Sequence, residues 1–349
     1  MAEIRAKIFS GLTKSLCVTA AALSFVAGCS SEGGNGPPDP GGTAGTAGTA
    51  GAAGTAGQPG TDSGVTDDAP GIRPLSLQIR RDGVPPGTEN TECIKARLDN
   101  AAPIAIGRVV NEISSSSHHF VVSTVDEAQA GEEAREPFAC PPFRAPLTGA
   151  PLTITQKHLD EYTLPAGVGY PLIAGQMMHL ELHYINTTSE PVDIIATTTL
   201  YPLAEGELQH EASVLLVGNL SVQIPANAEH TLGPIVQEIP ALYEGVSFYG
   251  LTGHTHQYGT DVRVDTYDAP GGTPAPRYLL DDYQWDDPEV VRFDPPFQVP
   301  AGGGFSYSCT WKNTTNDTIV FGESANAEMC FFWAYYFPRK PGRPLLLTR

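Results

Sequence analysis

The feature that most constrains the fold is a series of short runs rich in Val, Ile, Thr, Tyr and Phe, separated by Gly and Pro, from about residue 72 onward. Such runs are typical of β-strands bounded by turns. Strands are predicted at Phe120–Val125, Leu180–Ile185, Asp193–Tyr201 and Val262–Tyr267. Helical periodicity is scarce, and the polar segment 127–136 is expected to be a loop or one short helix. The pattern therefore predicts an all-β, sandwich-like body.

The length of this body sets the number of domains. About 280 residues follow position 71, enough for one large domain or two of ordinary size. A polar stretch, Glu205–Glu207, precedes a new strand run that begins at Val214. We therefore expect a break near 207–211, with domains over residues 72–210 and 211–349.

The N-terminus has the layout of an export signal. Basic residues precede an apolar run, Leu16–Ala27, that is too short to span a bilayer. The run ends in Leu23–Cys29, which resembles a bacterial lipobox, after which a leader of residues 1–28 would be removed and Cys29 would receive a lipid. The alternative is an ordinary secretory signal with an incidental cysteine. We expect an exported protein that is held by this lipid alone at the outer membrane, on its periplasmic face or at the cell surface.

Residues 29–71, after the leader, are mostly Gly, Ala, Thr, Pro and Ser and include a Gly-Thr-Ala repeat at Gly42–Ala50. This composition lacks the apolar periodicity of a core, so the segment is predicted to be a flexible tether.

The formal charge of −19 makes nucleic acid an unexpected partner, because the phosphate backbone requires basic surfaces.

The six cysteines divide by position. Cys17 lies in the leader and Cys29 is the expected lipidation site. Four cysteines remain, an even number in an oxidising compartment, which predicts two disulfides. Three pairings are possible; a two-domain organisation favours Cys93 with Cys140 and Cys309 with Cys330.

The histidines are clustered along the sequence. His254 and His256 are two residues apart, so on a strand they face one side and can bind one ion. His118 and His119 are adjacent, and can share a metal only at a strand end or a bend. His183 adds an imidazole, and a thioether such as that of Met329 is a soft ligand that selects copper. Each feature alone is more typical of exposed strand histidines and of methionine packed in a core.

Four motifs taken in order, His118-His119-Phe120, Leu180–Tyr184, His254-Thr255-His256 and Glu328-Met329-Cys330, resemble the copper type II ascorbate-dependent monooxygenases. The resemblance implies two tandem β-sandwich domains, each holding one copper ion, with the ions facing each other across an open cleft. It also implies the ligand sets. The first copper would be held by His118, His119 and His183, and the second by His254, His256 and Met329.

In this family the second copper activates O2 and removes hydrogen from a C–H bond, while the first supplies an electron drawn from ascorbate. The resemblance therefore implies that His254, His256 and Met329 form the catalytic site. The expected substrate is a small organic molecule, and the expected products are its hydroxylated form and water.

The sequence departs from the peptide-amidating members, because Thr252 stands where those enzymes carry an arginine. Phe331 and Trp333 replace the residues that hold the peptide, which indicates either a more apolar substrate or core packing. Glu181 matches a glutamate of the amine-hydroxylating branch and is a candidate substrate-cleft residue.

Two other classes of function are alternatives to the monooxygenase. The first is a non-catalytic copper-binding surface lipoprotein that keeps the scaffold as a metal sink. The second is a zinc hydrolase, which the sequence disfavours because it has no His-Glu-x-x-His motif to supply a general base.

Overall fold

The computed structural model describes residues 73–142, 149–341 and 345–348. The predicted leader 1–28, the lipidation site Cys29 and the tether 29–71 lie outside these residues. Within the described ranges the chain consists of strands, loops and two short 3₁₀ turns, so the all-β prediction is confirmed. No helix in this part of the chain is long and apolar enough to cross a membrane.

The first half of the described chain forms a sandwich of two sheets. Its strands are β1 (Leu75–Val84), β2 (Glu89–Arg97), β3 (Ile104–Ile113), β4 (Ser117–Thr124), β5 (Ala134–Ala139), β6 (Pro151–Thr155), β7 (Leu159–Thr163), β8 (Val168–Leu172), β9 (Met177–Ile185), β10 (Val192–Pro202) and β11 (His210–Glu211). One sheet has the order β1-β10-β3-β8-β11, with β7 also paired to β3; the other has the order β5-β2-β9-β4-β6.

The second half repeats this architecture with different strands. They are β12 (Ser213–Asn219), β13 (Gln223–Ile224), β14 (Ala228–Glu238), β15 (Ser247–His254), β16 (Gly259–Tyr267), β17 (Ala275–Tyr278), β18 (Val291–Gln298), β19 (Gly304–Asn313), β20 (Ile319–Val320), β21 (Cys330–Phe337) and β22 (Leu345–Thr348). One sheet has the order β18-β15-β21-β12-β22 and the facing sheet the order β14-β19-β16-β17, while β13 and β20 form a separate pair.

The four strands predicted from the sequence overlap β4, β9, β10 and β16. The segment 127–136 contains a 3₁₀ turn, Glu127–Gln129, and then the start of β5. The sequence does not reveal β5, because most of its residues are exposed or half-buried and it lacks the apolar alternation of a core strand.

The cores follow from alternation along the strands. In β1, for example, Leu75, Leu77 and Ile79 are buried while the residues between them are exposed. The core of the first sandwich continues into the second, since Tyr249 of β15 and Tyr335 of β21 belong to the same buried cluster. The Tyr335 hydroxyl donates to the Ile154 carbonyl of β6 at 2.9 Å. The two sandwiches, which lie within one unit of the chain (Val65–Arg349), are thus packed together around β6, β15 and β21.

Both disulfides pair as the two-domain organisation favours. Cys93 of β2 bonds to Cys140, just beyond β5, and Cys309 of β19 bonds to Cys330 of β21. The second bond joins the two facing sheets of the second sandwich, and the first links neighbouring strands of one sheet. Cross-links of 47 and 21 residues restrict the unfolded chain, and contribute about 4 and about 3 kcal/mol on an entropic account.

Candidate metal centre

A β-bulge explains how two adjacent histidines can face the same way. In the ladder between β4 and β9, Ser117 pairs with Tyr184 and His119 pairs with His183, so the register shifts at His118. A bulge places one extra residue on one strand and breaks the alternation of faces. His118 and His119 are accordingly both buried, at 2% and 1% exposure. The bend that adjacent ligands require is therefore present.

The second pair of histidines lies where β15 ends. His254 is the last residue of the strand and His256 lies in the loop that leads to β16. Both are buried, and their ring centroids are 5.2 Å apart. The two imidazoles are thus close together, although His256 lies in a loop and not on the strand that the sequence analysis expected to carry both.

The two pairs and His183 form one group, called here the histidine cluster (His118, His119, His183, His254 and His256). The His118 ring centroid lies 5.4 Å from those of His119, His183 and His254, and 5.3 Å from that of His256. Candidate ligand atoms of His118, His254 and His256 lie within 4.8 Å of one another. The cluster therefore contains ligands from both sandwiches in one buried place.

This arrangement corrects one expectation. The resemblance implied two ligand sets facing each other across an open cleft, whereas the structure has their rings in contact. The physical reason is the shared core between β6, β15 and β21, which closes the sandwiches against each other. The half-buried Trp285 also packs against the group, with its ring centroid 5.3 Å from that of His118.

Hydrogen bonds select which ring nitrogen of each histidine can bind a metal. Nδ1 of His254 donates to Oε1 of Gln156, whose own amide nitrogen donates to the Gly253 carbonyl at 3.1 Å. Nδ1 of His256 donates to the Ala327 carbonyl at 3.1 Å. Both contacts place the lone pair of a neutral imidazole on Nε2.

The first sandwich uses the opposite nitrogen at His183. Its Nε2 donates to the Glu89 carboxylate at 3.0 Å, while its buried Nδ1 has no hydrogen-bond partner among the described residues. Neither ring nitrogen of His118 has such a partner in the same part of the chain. Buried polar atoms are nearly always paired in folded proteins, so these nitrogens fit a site built for a metal ion.

The protonation state also suits metal binding. Burial is the largest cause that lowers the pKa of His118, His119 and His254 well below its usual range, with nearby histidines adding to the effect. Burial likewise lowers the pKa of His256 to about 4. These four rings are neutral at neutral pH, so a metal ion does not have to displace protons from them.

Two carboxylates that the sequence analysis did not assign support the cluster. Glu328, fully buried, accepts from the backbone N–H groups of His256 and Tyr258 at 2.8 Å and from Trp311 Nε1 at 2.9 Å. It also accepts from the N–H of Met329 at 3.2 Å. Burial raises the pKa of Glu328 to about 7, while these hydrogen bonds act in the opposite direction. Its place next to Met329 was the one sequence signal for this role.

The other carboxylate is Glu89, at the start of β2. Its pKa is lowered to about 2, first by the hydrogen bond from His183 and against the effect of burial. Backbone and side-chain donors at Ala325 and Ser324 lower it further. None of the motifs identified in the sequence includes Glu89, and the fold brings it to the histidine cluster.

The remaining predicted site residues have different surroundings. Met329 is buried beside Glu328, and Trp333 is buried with its ring 4.8 Å from that of His254. Phe331 instead packs over Gly218, where an added Cβ would meet its ring at 2.3 Å.

Glu181 is buried within 4.8 Å of Cys93 and His179. Because Cys93 is in a disulfide, that second group lacks the thiolate a metal would need.

The histidines left out of the prediction lie elsewhere. His230 stacks on Trp311 and His210 on Phe337, with ring centroids 6.4 and 5.6 Å apart. His179 is partly buried on β9, where burial lowers its pKa to about 4.

Comparison with known proteins supports the reading of these motifs. Residues 210–343 match the family described as copper type II ascorbate-dependent monooxygenase, C-terminal domain. The second half of the chain is therefore a domain of this family, and the resemblance seen in the sequence is confirmed for it. No curated protein matches the chain.

Two solved structures show a distant likeness. The major capsid protein P2 of bacteriophage PM2 is 8% identical, with a TM-score of 0.31 over 75% of this chain and 97% of that one. PBCV-1 VP54, fitted into a reconstruction of the virophage Sputnik, is 9% identical, with a TM-score of 0.23 over 76% of this chain and 94% of that one. TM-scores this low support no conclusion about fold or function.

Proposed function

We propose that the chain is a copper-dependent monooxygenase that hydroxylates a C–H bond of a small organic substrate, using O2 and ascorbate or another reductant. The observation that carries the proposal is the histidine cluster, in which buried imidazoles from both sandwiches converge at the motif positions. The family match of residues 210–343 supports the choice of copper.

The residues fit copper by their chemistry. His118, His119 and His183 would hold one ion, and His254, His256 and Met329 the other, because imidazole suits copper and a thioether favours its reduced form. Bound copper supplies the one-electron redox chemistry that dioxygen requires.

The protein's own residues orient the ligand rings and enclose the histidine cluster. Gln156 and the Ala327 carbonyl fix the rings of His254 and His256, and Glu89 fixes that of His183. Glu328 secures the backbone on both sides of the second ligand set. The burial of every ring in the cluster excludes bulk water, which strengthens electrostatic interactions there.

Substrate contacts remain part of the proposal. Trp333 borders the cluster and is the better candidate of the two aromatic residues, since Phe331 packs over Gly218. Glu181 is proposed as a polar group near the substrate, although its carboxylate lies by the Cys93–Cys140 bond. A variant with Trp333→Phe should change the preferred substrate more than Phe331→Leu does.

A second function is favoured by one specific observation. Ring centroids of the two ligand sets lie only 5 to 6 Å apart, so among the described residues these rings are in contact and not separated by a cleft. A non-catalytic copper-binding protein would use this arrangement without opening it. A monooxygenase has to admit substrate, so its sandwiches must separate locally during turnover.

One experiment separates the two functions. The purified full chain is loaded with copper, its copper content is measured, and oxygen uptake is followed with ascorbate across small amines, phenols and apolar compounds. Uptake that depends on substrate and yields a hydroxylated product supports the monooxygenase. Bound copper without coupled turnover supports the binding role, and absence of copper binding contradicts both.

The export signal and anchor are a separate proposal. We infer that residues 1–28 are removed, that Cys29 is lipidated, and that residues 29–71 tether domains 72–210 and 211–349 at the outer membrane. The apolar run before Cys29 supports this. Mass spectrometry of the mature N-terminus tests it: a diacylglyceryl cysteine at position 29 is expected, and an unmodified N-terminus elsewhere would contradict it.

A further inference from the structure

Glu89 is a side chain that joins a predicted ligand of the first sandwich, His183, to the loop just before Met329 in the second. We propose that it is a positioning residue that holds the two halves of the histidine cluster together. This inference rests on the proposed function for its role in copper binding, but its structural part can be tested without a metal.

The carboxylate of Glu89 is shared between the two sandwiches. On the first side, Oε1 accepts from His183 Nε2 at 3.0 Å. On the second side, Oε1 accepts from the backbone N–H of Ala325 at 2.6 Å and Oε2 accepts from the Ser324 hydroxyl at 3.0 Å. These last two donors lie more than 230 residues away in sequence, so the contacts exist only because the sandwiches are closed.

The loop that Glu89 secures is short and leads directly to the second ligand set. It is called here the 323–328 loop and runs from Glu323 to Glu328, just before Met329. The Ala327 carbonyl orients the His256 ring, and Glu328 binds the backbone of His256 and Met329. A displacement of Ser324 or Ala325 would therefore move both His256 and Met329, because the hydrogen bonds of the Ala327 carbonyl and of Glu328 connect them to the loop.

Gln156 makes the complementary contact on the other side of the cluster. It extends from the loop after β6 and binds His254 and the Gly253 carbonyl. Glu89 differs because it also fixes a ring of its own sandwich, so it sets the position of His183 relative to the 323–328 loop.

The position of Glu89 makes a test practical. Its side chain is 21% exposed at the rim of the cluster, outside both hydrophobic cores. Replacing it should leave the sandwiches folded. Glu161 of β7 is a matched control, since it also pairs with a basic side chain, Arg108 at 2.6 Å, but lies on the opposite sheet of the first sandwich.

The experiment compares Glu89→Ala, Glu89→Gln and Glu161→Ala in the full chain. Hydrogen exchange is measured first on the metal-free protein. Glu89→Ala should make the amides of the 323–328 loop exchange at least about tenfold faster, because the hydrogen bonds from Ser324 and Ala325 to this side chain hold the loop in place. Exchange in β1 and β10 should not change. Glu89→Gln should restore most of the protection, because its amide oxygen still accepts from His183 and Ala325.

Copper affinity is measured next by competition with a chromophoric Cu(I) chelator. Loss of such an outer contact typically weakens metal binding by about 10- to 100-fold, so Glu89→Ala should fall in this range while Glu89→Gln and Glu161→Ala stay near the wild-type value. If Glu89→Ala does not fold, Ser324→Ala removes one of the contacts and should give a smaller change of the same kind.

The outcomes are distinct. Unchanged loop exchange in Glu89→Ala overturns the proposal, as does faster exchange that Glu89→Gln fails to rescue, since that pattern indicates a purely electrostatic effect. A wild-type protein that binds no copper refutes the proposed function, and the exchange measurement still decides the role of Glu89.

Discussion

The two sandwiches hold their histidines by different means. In the first, His119 and His183 sit opposite each other on paired strands, and a bulge turns His118 inward. In the second, His254 and His256 lie at a strand end, and a buried carboxylate, Glu328, secures the loops around them. The difference teaches that paired strands and a bulge can place the backbone of the first ligands, whereas the backbone of ligands at a strand end and in a loop is held by further hydrogen bonds, here to Glu328.

The sharpest contrast between the halves comes from removing one ligand of each predicted set. Met329→Ala should abolish hydroxylation yet leave the copper of His118, His119 and His183 bound, and His183→Ala should spare the other copper. Copper content by atomic absorption and oxygen uptake measure both results. Loss of both ions in either variant would show that the cluster works as one indivisible site.

Removal of the Glu328 carboxylate should affect the second half most. Four donors would lose their buried acceptor, so Glu328→Ala should lower the free energy of unfolding by about 4 kcal/mol. Chemical denaturation checks this, with Glu161→Ala as the control, because an exposed ion pair contributes less than about 1 kcal/mol. A loss of similar size in both variants would mean that Glu328 is not the support of these loops.

The disulfides allow a matched comparison. Replacing Cys309 and Cys330 by serine should lower the free energy of unfolding by about 3 kcal/mol and also weaken copper binding, because Cys330 adjoins Met329. Replacing Cys93 and Cys140 should lower it by about 4 kcal/mol with a smaller effect on copper. Chelator competition on both double variants measures the affinity. Unchanged affinity in the Cys309/Cys330 variant would refute the idea that this bond positions Met329.

A smaller effect is expected from pH at His179, which lies on the ligand-bearing strand β9 but outside the cluster. Burial, aided by Lys95, lowers its pKa from 6.5 to about 4. As the pH falls, His179 is therefore protonated in the unfolded chain before it is protonated in the folded protein. The free energy of unfolding consequently decreases between about pH 6.5 and pH 4. This decrease in the free energy of unfolding is at most about 3 kcal/mol, and it is smaller than that limit because His179 is partly exposed to solvent.

The difference between wild type and His179→Gln isolates this contribution. Unfolding free energies at pH 7.5 and pH 5 should show a larger decrease for the wild type. Equal decreases would mean that His179 keeps an ordinary pKa in the folded protein.

Sequence reasoning recovered the parts of the molecule that follow from local pattern. Alternation predicted strands such as Val262–Tyr267, and the cysteine pairing followed from a two-domain layout. It missed what depends on long-range packing. Glu89 and Ser324 meet only in the folded chain, and closure of the cluster follows from side chains such as Tyr335 that enter the core of the other sandwich. An open cleft was therefore expected where the structure is closed.

The most direct test of the account is electron paramagnetic resonance of the Cu(II)-loaded full chain, combined with its copper content. The closed histidine cluster predicts two copper ions per chain that lie close enough for their spins to interact, so the spectrum should show coupling between them. Fewer than two ions, or two ions with separate uncoupled spectra, would contradict a single closed centre built from both sandwiches.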